Sequence, residues 1–233
     1  MIERIDHIIL EAPGFAEARR LLQQTGCPVT WDGSWESPTG AMRLFGVSVG
    51  PINIEVIDVA PHPERNSGVR SVAFDPGEIE VTVSELRDAG FNPDEPTEVN
   101  SMGHHFLDGV PAEARWRMAA LHELLPGMSS FLCQYLAPQP HFGRTSADSP
   151  IRFVALEVAV PDPGAALKTY QRVLKVQPGA ERNGYLLPLA DTPIRLVEGD
   201  MVSLVLEARP SDLALRALPE SFPAIRWVDT SGR

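Results

Sequence analysis

Two side chains able to do chemistry sit in runs that otherwise read as apolar. His7 lies within ERIDHIILEA (3–12), where Ile5, Ile8, Ile9 and Leu10 mark a strand. Glu55 lies within INIEVIDVAP (52–61), between Ile54 and Val56. Strand alternation puts Asn53, Glu55 and Ile57 on one face. A neutral imidazole suits a divalent transition metal, and a hydrogen bond inside the sheet serves it equally. A carboxylate on an apolar strand is costly unless it is paired or metal-bound. Glu55 is therefore an ion-pair partner of Arg43 on the neighbouring strand, a ligand, or a general base. Burial raises the pKa of such a base, which suits proton abstraction beside a carbonyl.

Weaker candidates follow. GHHFLDG puts His104 and His105 side by side in an irregular stretch (98–113), too long and polar for a tight hairpin. Stretches of that kind serve as lids or binding loops, or as solvated tips. ARWRMAALHEL puts Arg115, Arg117 and Ala119 on one face and Trp116, Met118, Ala120 and His122 on the other. An inward-turned arginine holds a carboxylate or other anion bidentately. The alternative is Trp116 in the core and both arginines in solvent. HELLPG has Pro126 where a HExxH metalloprotease helix needs its second histidine, so it carries no metal site. Trp31, Trp35 and Tyr135 line a pocket or simply fill a core.

The elements that must position these residues repeat. The first strand leads into a helix with Phe15, Ala18, Leu21 and Leu22 on one stripe, ending at Gly26. PVTWDGSW, AMRLFGVSVG and INIEVIDVAP follow as strands, giving β-α-β-β-β. GVRSVAFDP starts the same order again, with a helix in EIEVTVSELRDAGF and strands in PTEV, ARWRMAALHEL and SSFLCQYLAP. IRFVALEVAV starts a third round and MVSLVLEARP a fourth. The fourth has a helix that Ser211 and Asp212 could cap, and it stops after AIRWVD. Self-similarity of this kind marks duplicated modules that pack together. The Pro-, Ser- and Gly-rich stretch at 137–150 sets the boundary: residues 1–138 hold a pair of modules, 139–150 a linker, and 151–233 a truncated second half. Glu157 and Glu198 are the only mid-run carboxylates of that half, which gives it a structural or dimerising role.

Composition narrows the function. The net charge of −11 disfavours a nucleic-acid backbone as partner. No run of the roughly 18 apolar residues a bilayer span needs occurs, and MIERIDHI does not begin a signal peptide. Cys27 and Cys133 stand far apart in apolar surroundings and read as small buried hydrophobes. A cytoplasmic protein with no membrane partner is the expectation.

IDHIILEAP (5–13), NIEVIDV (53–59), RWRMA (115–119) and VALEVAVPDPGAAL (154–167) carry a resemblance to the vicinal oxygen chelate superfamily, and within it to glyoxalase-like domain proteins. The resemblance implies an α+β fold in which repeated βαβββ modules form curved mixed sheets. Two modules would make an open, barrel-like cup around a divalent metal (Zn, Fe, Mn, Ni or Mg), with no organic cofactor. It implies His7 and Glu55 as ligands from the first and fourth strands, Gln134 as a weak third ligand, and Glu55, His7 and Arg117 as catalytic groups. The first strand of the second module, VRSVAF (69–74), offers only Arg70 and Ser71, and the third module has Ala155 at the place of His7. The implied function is a lyase, isomerase or dioxygenase acting on a small oxygen-rich molecule. A metal-free binding protein of the bleomycin-resistance type is the alternative, and a homodimer is expected in either case.

Overall fold

The computed structural model describes residues 2–11, 14–37, 40–58, 68–105, 111–122, 124–136, 151–208 and 225–228. Strand β1 (Arg4–Glu11) leads into helix α1 (Phe15–Gln24), then β2 (Val29–Ser37), β3 (Gly40–Val49) and β4 (Ile52–Ile57). Phe15, Ala18, Leu21 and Leu22 are the buried stripe of α1, and they cover the face of the sheet carrying Ile8, Leu10, Phe45, Val47, Ile54 and Val56. The helix stops at Gly26, whose φ of 72° only glycine takes without strain.

The second module repeats the order with β5 (Val69–Asp75), α2 (Ile79–Asp88), β6 (Thr97–His105), β7 (Pro111–His122) and β8 (Ser130–Tyr135). Its second strand is longer than the sequence predicts. Most of the expected loop at 98–113 is strand, with β6 pairing along β7 from Thr97↔Met118 to His105↔Pro111. Polar side chains hide the pattern there, and the partner strand supplies the order. Residues 106–110 lie outside the described part.

In both modules the last strand lies parallel beside the first, β4 against β1 and β8 against β5. β1 and β5 join the modules antiparallel. At the opposite seam β2 meets β6 through Asp32↔His105. The cup expected to be open is thereby a closed eight-stranded barrel, in the order β1-β4-β3-β2-β6-β7-β8-β5.

The rest of the chain begins with β9 (Ile151–Val160) and α3 (Pro163–Leu174). Asp162 caps α3, its Oδ1 accepting the Ala165 N–H at 2.9 Å. Then come β10 (Gly179–Glu181), β11 (Gly184–Leu187), β12 (Ile194–Glu198), β13 (Val202–Ala208) and β14 (Ile225–Val228). They form a six-stranded sheet ordered β10-β11-β12-β9-β13-β14. All three residues of β10 are exposed, so no hydrophobic alternation announces it and only pairing with β11 defines it. The linker and the helix expected at Ser211 and Asp212 lie outside the described residues.

The six-stranded sheet packs on the barrel. The fully buried Tyr170 of α3 donates its hydroxyl proton to the Pro126 carbonyl at 2.8 Å. The Ile5 N–H donates to Thr192 Oγ1 at 2.9 Å, and Lys175 pairs with Glu85 at 2.8 Å. One hydrophobic cluster runs from Ile8, Phe45 and Ile79 to Leu156, Val158 and Leu204. Burying each such side chain contributes about 1.5–3 kcal/mol. Cys27 and Cys133 are both buried. No helix among the described residues is long and apolar enough to cross a membrane.

Candidate functional site

The strand register decides which side chains enter the barrel. His7 lies beside Asn53, and Ile9 beside Glu55. Glu55 lies beside Gly46, and Gly46 beside Trp31. Paired residues share a face, so Ile9, Glu55, Gly46 and Trp31 form one row across four strands, away from α1. On the other side of β1, His7 lies beside Ala73 and Ala73 beside Phe131. The rings confirm the placement: His7 sits edge-on to Trp31 at 5.8 Å and to Phe131 at 5.6 Å between centroids. His7 is 6% exposed.

Asp6 is the member of this site that sequence reasoning missed. Strict alternation sends it to the face opposite His7. The β1–β5 register, however, slips between Ile5↔Phe74 and His7↔Ala73, which leaves Asp6 as an extra residue. Such a bulge re-aims a side chain. Asp6 Oδ2 lies 2.6 Å from His7 Nδ1 and accepts the Tyr135 hydroxyl at 3.0 Å. With Nδ1 held by a carboxylate, Nε2 is the nitrogen left to meet a ligand. Nothing in the sequence marks the bulge. Asn53 was also passed over, although it belongs to the Glu55 face. It is 2% exposed, and its Oδ1 has no hydrogen-bond partner among the described residues.

Electrostatics fit these contacts. Burial alone lowers the His7 pKa, but the Asp6 hydrogen bond and the charges of Asp6 and Glu55 outweigh it and raise it above the ordinary 6.5. Burial pushes Glu55 above its ordinary 4.5, opposed by the His7 charge and by hydrogen bonding from Trp31. Burial, with Asp6 nearby, drives the Cys133 thiol and the Tyr135 hydroxyl well up, so both stay protonated.

A stability test of the Asp6 contact follows. Because the folded His7 pKa is raised, its contribution is fully present below pH 6.5 and is lost as pH rises through the folded value. Asp6→Asn leaves burial dominant and reverses that slope. A His7 ring-proton NMR titration should show the pKa dropping below 6.5, and urea unfolding across pH should show the reversal. An unmoved His7 titration would refute the Asp6 assignment.

Other expected members point elsewhere. Phe131, Cys133 and Tyr135 face inward, and Gln134 faces α2. There Gln134 Oε1 accepts the Ile79 N–H at 3.3 Å, and its Nε2 donates to Glu78 at 3.4 Å. Arg117 lies beside Gln134 on that outer face and pairs with Glu80. Arg115 pairs with Glu98 at 2.5 Å, while Trp116 packs with the inward cluster of Trp31, Leu44 and Ile57. Arg43 binds Asp58, with Nε–Oδ2 at 2.7 Å, instead of Glu55. The backbone of His104 and His105 ends β6, and their side chains lie outside the described part.

Among the described residues the inward donors suited to a metal are His7 Nε2 and the Glu55 carboxylate, since Asp6 is engaged by His7 and Tyr135 and burial keeps the Cys133 thiol protonated. No group of three or more His, Cys, Asp or Glu side chains placed to hold a metal occurs among the described residues. A catalytic metal takes about three protein ligands. The described donors fall short of that set.

The model of the Glyoxalase-like domain family matches residues 5–174. The chain belongs to that family. No curated protein matches it. Among solved structures, a hypothetical protein from Staphylococcus aureus aligns at TM-score 0.69 and 11% identity, covering 89% of this chain and 92% of that one. A variant of 4-hydroxymandelate synthase from Streptomyces coelicolor aligns at 0.60 and 14%, covering 94% and 75%. A catechol 2,3-dioxygenase aligns at 0.54 and 13%, covering 94% and 80%. At these identities the likeness is one of fold, the paired βαβββ architecture of the vicinal oxygen chelate proteins. Within this glyoxalase-like chain, the inward rows of β1, β4 and β8 distinguish the site.

Proposed function

We propose that this glyoxalase-like protein acts on a small oxygen-rich carbonyl compound inside the barrel, by proton transfer in the manner of an isomerase or lyase. One observation carries the reading: a half-buried carboxyl with a raised pKa shares an inner face with an imidazole that Asp6 holds by Nδ1. Glu55 takes a proton from the carbon beside the carbonyl, and its raised pKa brings it nearer neutrality, where a general base works best. His7, whose protonated form Asp6 and Glu55 stabilise, donates from Nε2 to the carbonyl oxygen as negative charge develops there. Asn53 Oδ1 accepts from a substrate hydroxyl. Trp31 and Phe131 keep water from the reacting atoms.

The aromatic wall of Trp31, Phe131 and Trp116 supports a second reading, a metal-free binding protein. One experiment separates the two. Small 2-hydroxy and 2-oxo carbonyl compounds are incubated with the protein in D₂O and followed by proton NMR. Loss of the signal beside the carbonyl, faster than in buffer, is the expected result. Saturable binding with no exchange sinks proton transfer and leaves the binding reading.

Homodimerisation belongs to the same proposal. Among the described residues β10 and β14 end the six-stranded sheet, and a strand edge left unpaired favours pairing with another chain. Solution scattering should give twice the 25.5 kDa chain mass. A concentration-independent monomer would rule the dimer out.

A further inference from the structure

The six-stranded sheet repeats the register of the barrel's first module with different chemistry at its centre. Aligning the starts of α1 and α3, Phe15 with Pro163, puts Ala155 at the place of His7 and Glu157 at that of Ile9. Ile9 lies beside Glu55, and Glu157 lies beside Arg195. Arg195 therefore stands where the barrel has the Glu55 carboxyl. Leu186 takes the place of Gly46 beside it, and Ser203 continues the row past Glu157. From β14, Arg226 binds Glu157, with Nη2–Oε2 at 2.5 Å.

We infer that this face of the sheet is a second small-molecule site, for a compact carboxylate that carries a hydrogen-bond donor beside the carboxyl. A groove of about 1230 Å³ opens here, lined by Glu157, Arg195 and Arg226 among others, ample for a ligand of a few heavy atoms. Arg195 Nε is buried, and among the described residues its one contact, with Glu181, does not meet hydrogen-bond geometry. A ligand oxygen placed in line with that N–H supplies the acceptor it lacks. Glu181, on the wholly exposed β10, lies 3.3 Å from that nitrogen as a charge partner, and the ligand carboxylate takes the place of its own. The guanidinium fork matches a carboxylate. Glu157, held in place by Arg226 and only 13% exposed, then accepts from the ligand's hydroxyl or ammonium group. The arginines Arg182, Arg195 and Arg226 balance Glu157, Glu181 and Glu198 along the groove, so a chain of net charge −11 does not repel an anion at this spot.

The test is an NMR titration of the full chain with glycine, lactate and acetate, following the Arg195 Nε–H signal and the β12 amides. Glycine and lactate should shift these signals saturably, with acetate about tenfold weaker for lack of the donor. Arg195→Gln should abolish the response, and Arg195→Lys, which keeps charge without the fork, should weaken it about tenfold. Glu55→Gln, in the barrel, should leave it intact. No saturable shift with any probe overturns the site. So does an undiminished response in Arg195→Lys, which remains informative if Arg195→Gln does not fold.

Discussion

Glu55→Gln is expected to slow proton exchange beside the carbonyl by about 10²–10⁴-fold, the usual contribution of a general base, without unfolding the protein. The two effects separate because of the sign of the Glu55 shift. A carboxyl whose folded pKa lies above 4.5 favours the fold when protonated. It loses that contribution as pH rises from 4.5 through the folded value. Above the folded value the ionised side chain works against the fold, and glutamine removes the charge while keeping the shape. Thermal unfolding at pH 8 should therefore show the variant at least as stable as the wild type. His7 supplies an independent readout, since the Glu55 charge helps to raise its pKa: in Glu55→Gln the His7 titration should move down. A variant with unchanged exchange would remove Glu55 from the chemistry. One that loses exchange and melts earlier would indicate a structural role instead.

Gly46→Ala is expected to cost about 1–3 kcal/mol, the usual range for overpacking a filled interior. A Cβ on Gly46 would lie 2.3 Å from Trp31 Cε2 and 2.6 Å from its Nε1. The indole is 3% exposed, so it has no open side to retreat to. At about 2–4 °C per kcal/mol for a chain of this size, the loss is visible in a melting curve. The site feels it too, because the Trp31 ring lies over Gly46 and reaches Glu55 and His7. Displacing the ring removes a hydrogen bond that favours ionised Glu55, so the Glu55 pKa should rise further. Trp31→Phe in the same background should recover part of the stability, giving a positive coupling in a double-mutant cycle. An unchanged melting temperature together with unchanged Trp31 fluorescence would show that the ring does not lie where the register puts it.

Much of the barrel was legible in the chain. The stripe Phe15, Ala18, Leu21, Leu22 and the alternation Asn53, Glu55, Ile57 are local patterns, and local patterns survive folding when one face is buried. The repeat order then implied that His7 and Glu55 share a cup, and β1 does lie beside β4. The second module shows the limit. Alternation sorted Arg117 and Trp116 correctly onto opposite faces but could not say which face turns inward. Gln134, which the resemblance implies as a third ligand, stands one residue out of phase with the inward Phe131, Cys133 and Tyr135. Because side chains alternate with a period of two, a slip of one residue exchanges the inside for the outside.

What the sequence determined by itself is most of the barrel's elements, their repeat and the placing of His7 and Glu55 in the first and fourth strands of the first module, because each depends on spacing along the chain. Only the tertiary structure decided the rest. Barrel closure rests on a single seam between β2 and β6, and the entry of Asp6 into the site rests on a bulge that appears only when β1 meets β5. Arg195 takes the place of a carboxyl because β12 settles beside β9 in one register. These outcomes depend on how distant strands align, and the energy that selects an alignment comes from packing and hydrogen bonds absent until the strands are side by side.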